Sequence, residues 1–118
     1  SMPINGTASY VGQSIITADI TTDIPALNDK DYYTGSSQFN VDFGNKTLNG
    51  SLGINNIQPV NINASISGNS FSGAASSSSL PSAARVEGKF YGDQAKELAG
   101  LAQANDNSWA AAFGAQKQ

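Results

Sequence analysis

The chain has 118 residues and a formal net charge of −3, which fits one domain with one core. It contains no cysteine and no histidine, which excludes disulfides, thiolate metal sites, cysteine nucleophiles and any Ser–His or Cys–His relay. Its 6 Lys and Arg residues are spread along an acidic chain, so there is no electrostatic footprint for nucleic acid.

Asn, Ser, Thr, Gly and Ala are plentiful, a composition for strands and tight turns, and period-2 alternation dominates. Thr7–Val11 reads as a first strand, and Ser14–Ile20 as a second beyond Gly12. The irregular polar stretch from Thr21 to Ser37 is the longest expected loop. Phe39, Val41 and Phe43 then alternate with Asn40 and Asp42, and Gly44-Asn45-Lys46 turns the chain into Leu48, Gly50, Leu52 and Ile54. Val60–Ile66 is the cleanest alternating strand, and Gly68-Asn69 closes a hairpin into Phe71, Gly73 and Ala75. Ser76–Ser79 with Leu80-Pro81 is low-complexity and is expected to be a mobile loop. Val86, Gly88 and Phe90 form another strand, and Gly92–Leu98 has enough helix formers for one helical turn before a strand at Leu98–Ala102. Trp109, Ala111 and Phe113 make the last strand, followed by a polar tail at Gly114–Gln118.

Eight or nine short strands in consecutive hairpins either split into a sandwich or close on themselves. Gly50, Gly73, Gly88 and Gly100 fall at inward parity in separate strands, where small residues relieve crowding around a narrow interior. That favours an all-β, antiparallel barrel. Phe39, Phe43, Phe71, Phe90, Leu48, Leu52, Ile62 and Ile66 all point inward on this reading and fill it.

Few residues carry chemistry. Asp42-Phe43-Gly44 matches a kinase metal-binding triplet, but the rest of that signature is absent and the triplet reads as strand-to-turn. The sequons at Asn5, Asn45, Asn49 and Asn63 are what an Asn- and Thr-rich composition produces. The aspartates do not have EF-hand spacing. The candidate ligand-contacting set is Tyr32 and Tyr33, with Asp29 and Asp31 beside them in the long loop. Adjacent tyrosines admit three readings: an interface anchor, a haem-iron ligand, or one ring packed on the rim with its neighbour in solvent. Tyr91 and Trp109 sit in strand patterns and read as core or rim packing.

Three segments in order resemble the β-barrel domains of transferrin-binding protein B and its relatives on Gram-negative bacteria, a family that extends to secreted proteins of the haemophilin type. Phe39-Asn40-Val41-Asp42-Phe43-Gly44-Asn45-Lys46-Thr47-Leu48-Asn49-Gly50 is similar to the family's first hairpin, and Ile66-Ser67-Gly68-Asn69-Ser70-Phe71-Ser72-Gly73 to a second. Val86-Glu87-Gly88-Lys89-Phe90-Tyr91-Gly92-Asp93-Gln94-Ala95-Lys96-Glu97-Leu98-Ala99-Gly100 resembles a third, with Asp93 where the family has Pro. The ending Phe113-Gly114-Ala115-Gln116-Lys117-Gln118 also resembles family C-termini.

The resemblance implies a single eight-stranded up-and-down barrel with a filled core, spanning 1–118. In the family such a barrel follows a separate handle domain, and Ser1-Met2-Pro3 reads as a cloning remnant before a domain cut from something longer. The implied role is non-catalytic and needs no cofactor. It is the binding of a host iron- or haem-carrying protein, transferrin or haemoglobin, by a monomer at the cell surface or secreted, with the barrel as scaffold recognised by an outer-membrane translocon. Two other functions stand beside it: a lipocalin-like small-molecule carrier, and a binder of a host immune factor such as complement factor H.

Overall fold

A computed structural model describes residues 2–18, 32–55 and 57–118. It contains eight strands: β1 (Thr7–Ala18), β2 (Tyr32–Asp42), β3 (Thr47–Ile54), β4 (Val60–Ser67), β5 (Ser70–Ser76), β6 (Ala84–Tyr91), β7 (Glu97–Ala104) and β8 (Trp109–Lys117). Each pairs antiparallel with its neighbour in sequence, and β8 pairs with β1 to close the barrel. Closure leaves no unpaired sheet edge.

The interior is filled. Phe39, Leu48, Leu52, Val60 and Ile62 are buried, as are all the other residues expected to point inward. The rings form a connected series, with Phe39 to Phe113 at 5.0 Å between centroids, Phe113 to Phe71 at 6.3 Å and Phe71 to Phe90 at 5.5 Å. Phe90 in turn contacts Tyr10 at 5.9 Å and Phe43 at 5.8 Å. Separations of this size are those at which ring pairs gain beyond their buried area. Among the described residues the core is packed with side chains, unlike the open interior of a lipocalin-like carrier.

Register explains how the rings fit. Phe39 lies directly opposite Gly50, Phe71 opposite Gly88, and Phe113 opposite Gly100. A Cβ at Gly50 would collide with the Phe39 ring, and one at Gly88 with the Phe71 ring. At Gly100 it would lie 2.7 Å from Phe113 Cζ. Each ring therefore lies over the bare backbone of the strand beside it. The inward parity of these glycines is borne out, and its cause is cross-strand packing.

Four elements differ from the sequence expectation. β1 runs unbroken through Gly12, where the wall comes so close to β8 that a Cβ would meet the Gly114 carbonyl oxygen and Ala115. β2 begins at Tyr32, inside the expected loop, because two successive inward positions, Gly35 and Ser37, carry no apolar signal. The segment before β7 is a turn rather than a helical turn, with Gly92, Gln94 and Ala95 all at positive φ. The final polar tail belongs to β8, where Ala115 continues the inward row.

Gly88→Ala is expected to destabilise the barrel by about 1–3 kcal/mol, as overpacking does. Urea unfolding in a Phe71→Leu background should show a smaller penalty for the same change. An equal penalty in both backgrounds would assign the cost to the Ala99 carbonyl, which a Cβ at Gly88 also meets, and not to the ring.

Candidate functional site

Strand alternation gives the barrel a loop end and a termini end. Among the described residues the loop end carries the β3–β4, β5–β6 and β7–β8 connections, and the termini end carries 43–46, 68–69 and 92–96 with both chain ends.

The described part of the loop end is tied together. Ser77 Oγ donates to the Gln58 carbonyl at 2.9 Å, while the Gln58 N–H donates to Ser79 Oγ at 2.8 Å. The Leu80 N–H donates to the Ser77 carbonyl at 3.1 Å, and the Leu80 side chain is buried. Buried Trp109 donates its indole Nε1–H to the Ser82 carbonyl at 2.8 Å. The serine run is thus a fastened lid, contrary to the mobile loop its composition indicated. Serine hydroxyls bond nearby backbone groups readily, which is why low complexity did not prevent order here. The Ser108 hydroxyl and N–H beside Asp106 hold its carboxyl below the usual carboxylate range. The N–H donates to the carboxylate at 2.9 Å.

The tyrosine pair is on a strand. Tyr33 faces Ile16 across the β1–β2 ladder and packs, partly buried, against the core. Tyr32 faces Thr17 and is 55% exposed. Period-2 alternation therefore sends the two rings to opposite sides of the wall, and only Tyr32 is presented outward. Asp29 and Asp31 lie outside the described residues. Among the described residues no group of three or more Asp or Glu is placed to hold a metal ion.

At the termini end, the Tyr10 hydroxyl donates to the Ala95 carbonyl at 2.5 Å, and Lys117 Nζ donates to the Gln94 carbonyl at 2.5 Å. The ammonium also lies 5.5 Å from the centre of the Phe43 ring. Both carbonyls come from the left-handed residues of the β6–β7 turn, so these bonds hold a conformation that costs energy at non-glycine positions. Burial pushes the Tyr10 phenol up to about 12. Asp42 of the Asp-Phe-Gly triplet accepts the Asn45 N–H at 3.0 Å and Asn45 Nδ2 at 2.8 Å, which holds its carboxyl below the usual range. It caps the β2–β3 turn, as the strand-to-turn reading has it.

The outer wall holds open grooves. One of about 520 Å³ runs along β6 between Ser72, Glu87, Lys89, Tyr91 and Leu101. Tyr91 is half exposed on this surface, so the core or rim reading of it is corrected, while that of Trp109 holds. Leu101, Ile15 and Val11 were not singled out in the sequence, yet they too are exposed. Outward parity along each strand was the signal that could have found them.

The pattern of the family described as the C-lobe and N-lobe β-barrels of Tf-binding protein B matches residues 2–117. The chain belongs to this family. It is 50% identical over 118 residues to an uncharacterized Haemophilus influenzae protein, covering 99% of this chain and 39% of that one. It is 34% identical over 106 residues to transferrin-binding protein B of Neisseria meningitidis serogroup B, covering 70% of this chain and 18% of the relative. The chain thus spans about two fifths or less of the curated relatives it matches. The crystal structure of transferrin-binding protein B from Actinobacillus pleuropneumoniae superposes with a TM-score of 0.80 at 30% identity, over 100% of this chain and 64% of that one. The family is one of binding proteins, not enzymes.

Two outcomes follow for the ends of this Tf-binding-protein-type barrel. Tyr10→Phe leaves the buried Ala95 carbonyl without its donor and should cost about 1–3 kcal/mol in urea unfolding. Because the folded pKa of Tyr10 lies above its ordinary 10.0, its contribution is complete below pH 10 and declines as pH rises towards about 12. In Tyr10→Phe that alkaline decline should diminish when unfolding free energy is followed against pH. Trp109→Phe should speed proteolysis within 77–83 while leaving β-sheet circular dichroism unchanged; an unaltered cleavage rate would mean the indole does not fasten the lid.

Proposed function

We propose that this barrel is one module of a longer, surface-exposed or secreted protein that binds a host iron- or haem-carrying protein. The observation that carries the reading is family membership across residues 2–117, joined to a relative named for transferrin binding. In this reading the longer protein has a handle domain outside the barrel. The barrel is a monomeric scaffold, and an outer-membrane translocon of the surface-lipoprotein type recognises it during export.

The physical chemistry of the chain is compatible with that role. The filled interior leaves recognition to the outside surface, where large contact areas with another protein are available. Tyr32, exposed on the first residue of β2 beside the 19–31 connection, is the residue of the candidate set best placed to touch a partner. Asp29 and Asp31 precede it in the chain and would extend the same contact.

Binding to immobilised human transferrin and haemoglobin by surface plasmon resonance tests the reading. Saturable binding that Tyr32→Ala weakens about tenfold or more, with Tyr33→Ala weaker in effect, would place the contact at the start of β2. Binding unaffected by Tyr32→Ala would move the contact elsewhere. No binding by a folded barrel, with binding by the full-length gene product, would leave the barrel as scaffold.

A further inference from the structure

We infer that two copies of this chain associate face to face through the outer wall of β6, about a two-fold axis that crosses the strand at Gly88. The inference goes beyond the proposed function and amends it in one respect: the barrel is a monomer when dilute and pairs when concentrated. Closure leaves no strand edge to pair, so association has to use outward side chains. Strands β1 to β5 carry one charged residue between them, Asp42, whereas β6 alone presents Arg85, Glu87 and Lys89 on its outer face, followed by Tyr91. All four are exposed. Among the described residues, the side chains of Arg85, Glu87 and Lys89 make no ion pair and no hydrogen bond.

The order of these side chains is complementary to itself. About an axis at Gly88, Glu87 of each copy faces Lys89 of the other, and Arg85 faces the Tyr91 ring. The two-fold makes the ion pair and the cation–π contact occur twice each. The neighbouring strands fit the same operator. Glu87 lies beside Leu101 and Lys89 beside Ala99, so Leu101 of one copy meets Ala99 of the other. Leu101 is 52% exposed, and the place it would enter is the open groove of about 520 Å³ whose lining includes Ser70 and Ala99. Arg85 lies beside Gln103 and Tyr91 beside Glu97, which brings the Gln103 amide to the Glu97 carboxylate of the second copy. On the other flank, β5 offers Ser70, Ser72 and Ala74, too short to hold the copies apart.

Other registers fit less well. An axis at Glu87 sets that carboxylate against itself and Arg85 against Lys89, and an axis at Lys89 sets two ammonium groups together. An axis at Val86 pairs Arg85 with Glu87, but it leaves Lys89 without an opposite charge and puts Leu101 over the Gln103 amide. The convex wall limits contact to β5, β6 and β7, an interface of about 1,000 Å² in total, at the small end of the specific range. Association is therefore weak, with a Kd on the order of 10–100 µM, and it weakens as salt screens the exposed charges.

Sedimentation velocity of the 118-residue chain at loadings from about 10 µM to 1 mM reads this association directly. In low salt we expect the weight-average mass to rise from that of one chain towards that of two, and to fall back at about 0.5 M salt. Glu87→Lys alone and Lys89→Glu alone each set like charges across the axis, and each should weaken association at least about tenfold. An equimolar mixture of the two variants has opposite charges at both positions again and should associate as the parent does. That recovery would also show that both variants fold. A parent chain that keeps the mass of one copy throughout would overturn the inference. Association that the single variants leave unchanged would overturn it too, by moving the contact to another wall. Single variants whose loss the mixture does not repair would exclude the Gly88 register and overturn it likewise.

Discussion

Three phenylalanines each lie across the ladder from a glycine, and this pairing sets the rest of the structure. Phe39 over Gly50, Phe71 over Gly88 and Phe113 over Gly100 occur at three separate strand pairs around the barrel. In each case the missing side chain on one strand makes room for the ring on the next. An eight-stranded barrel has an interior just wide enough for side chains, so bulky residues at every inward position would not fit. Alternating ring and glycine keeps the cross-section narrow while the interior stays close-packed. Truncating one of these rings to alanine removes its contacts and leaves a cavity, a loss of about 3–5 kcal/mol.

A barrel packed in this way fastens its connections at its two ends. At the termini end, Tyr10 and Lys117 draw the strained β6–β7 turn onto the barrel mouth by its carbonyls. At the loop end, Trp109, Ser77 and Ser79 fasten the serine-rich connection. What varies around the circumference is the wall: neutral amides and hydroxyls on β2–β5, charges on β6, and small apolar residues on β8. Such a scaffold can hold its shape while different surfaces engage different neighbours, as expected when function lives in sites placed on a common fold.

Much of the fold was legible because alternation with a period of 2 is strong where one face is buried and the other wet. Phe39 to Phe43, Val60 to Ile66 and Val86 to Phe90 show it plainly, and so do the inward glycines. The errors fall where inward residues are small. Gly12 reads locally as a break, yet the closed sheet uses it for a close approach between β1 and β8. Gly35 and Ser37 hide the first half of β2, so Tyr32 and Tyr33 read locally as loop residues. Gln94 and Ala95 are unremarkable helix-compatible residues, and only the tertiary bonds to their carbonyls account for their left-handed backbone. Ile15 and Ala112 become neighbours only once β8 has closed on β1, so no local pattern could show them side by side.

Aromatic packing closes the interior, and the proposed function leaves recognition to the outer surface on that ground. Titrating the folded barrel with a fluorescent apolar probe, alongside Phe39→Ala and Phe71→Ala, tests it most directly. The account predicts no saturable one-to-one binding to the parent chain, and binding that emerges in a variant where a ring has been removed and the barrel stays folded. Saturable one-to-one binding to the parent chain, weakened by those same substitutions, would show an accessible internal cavity and contradict it.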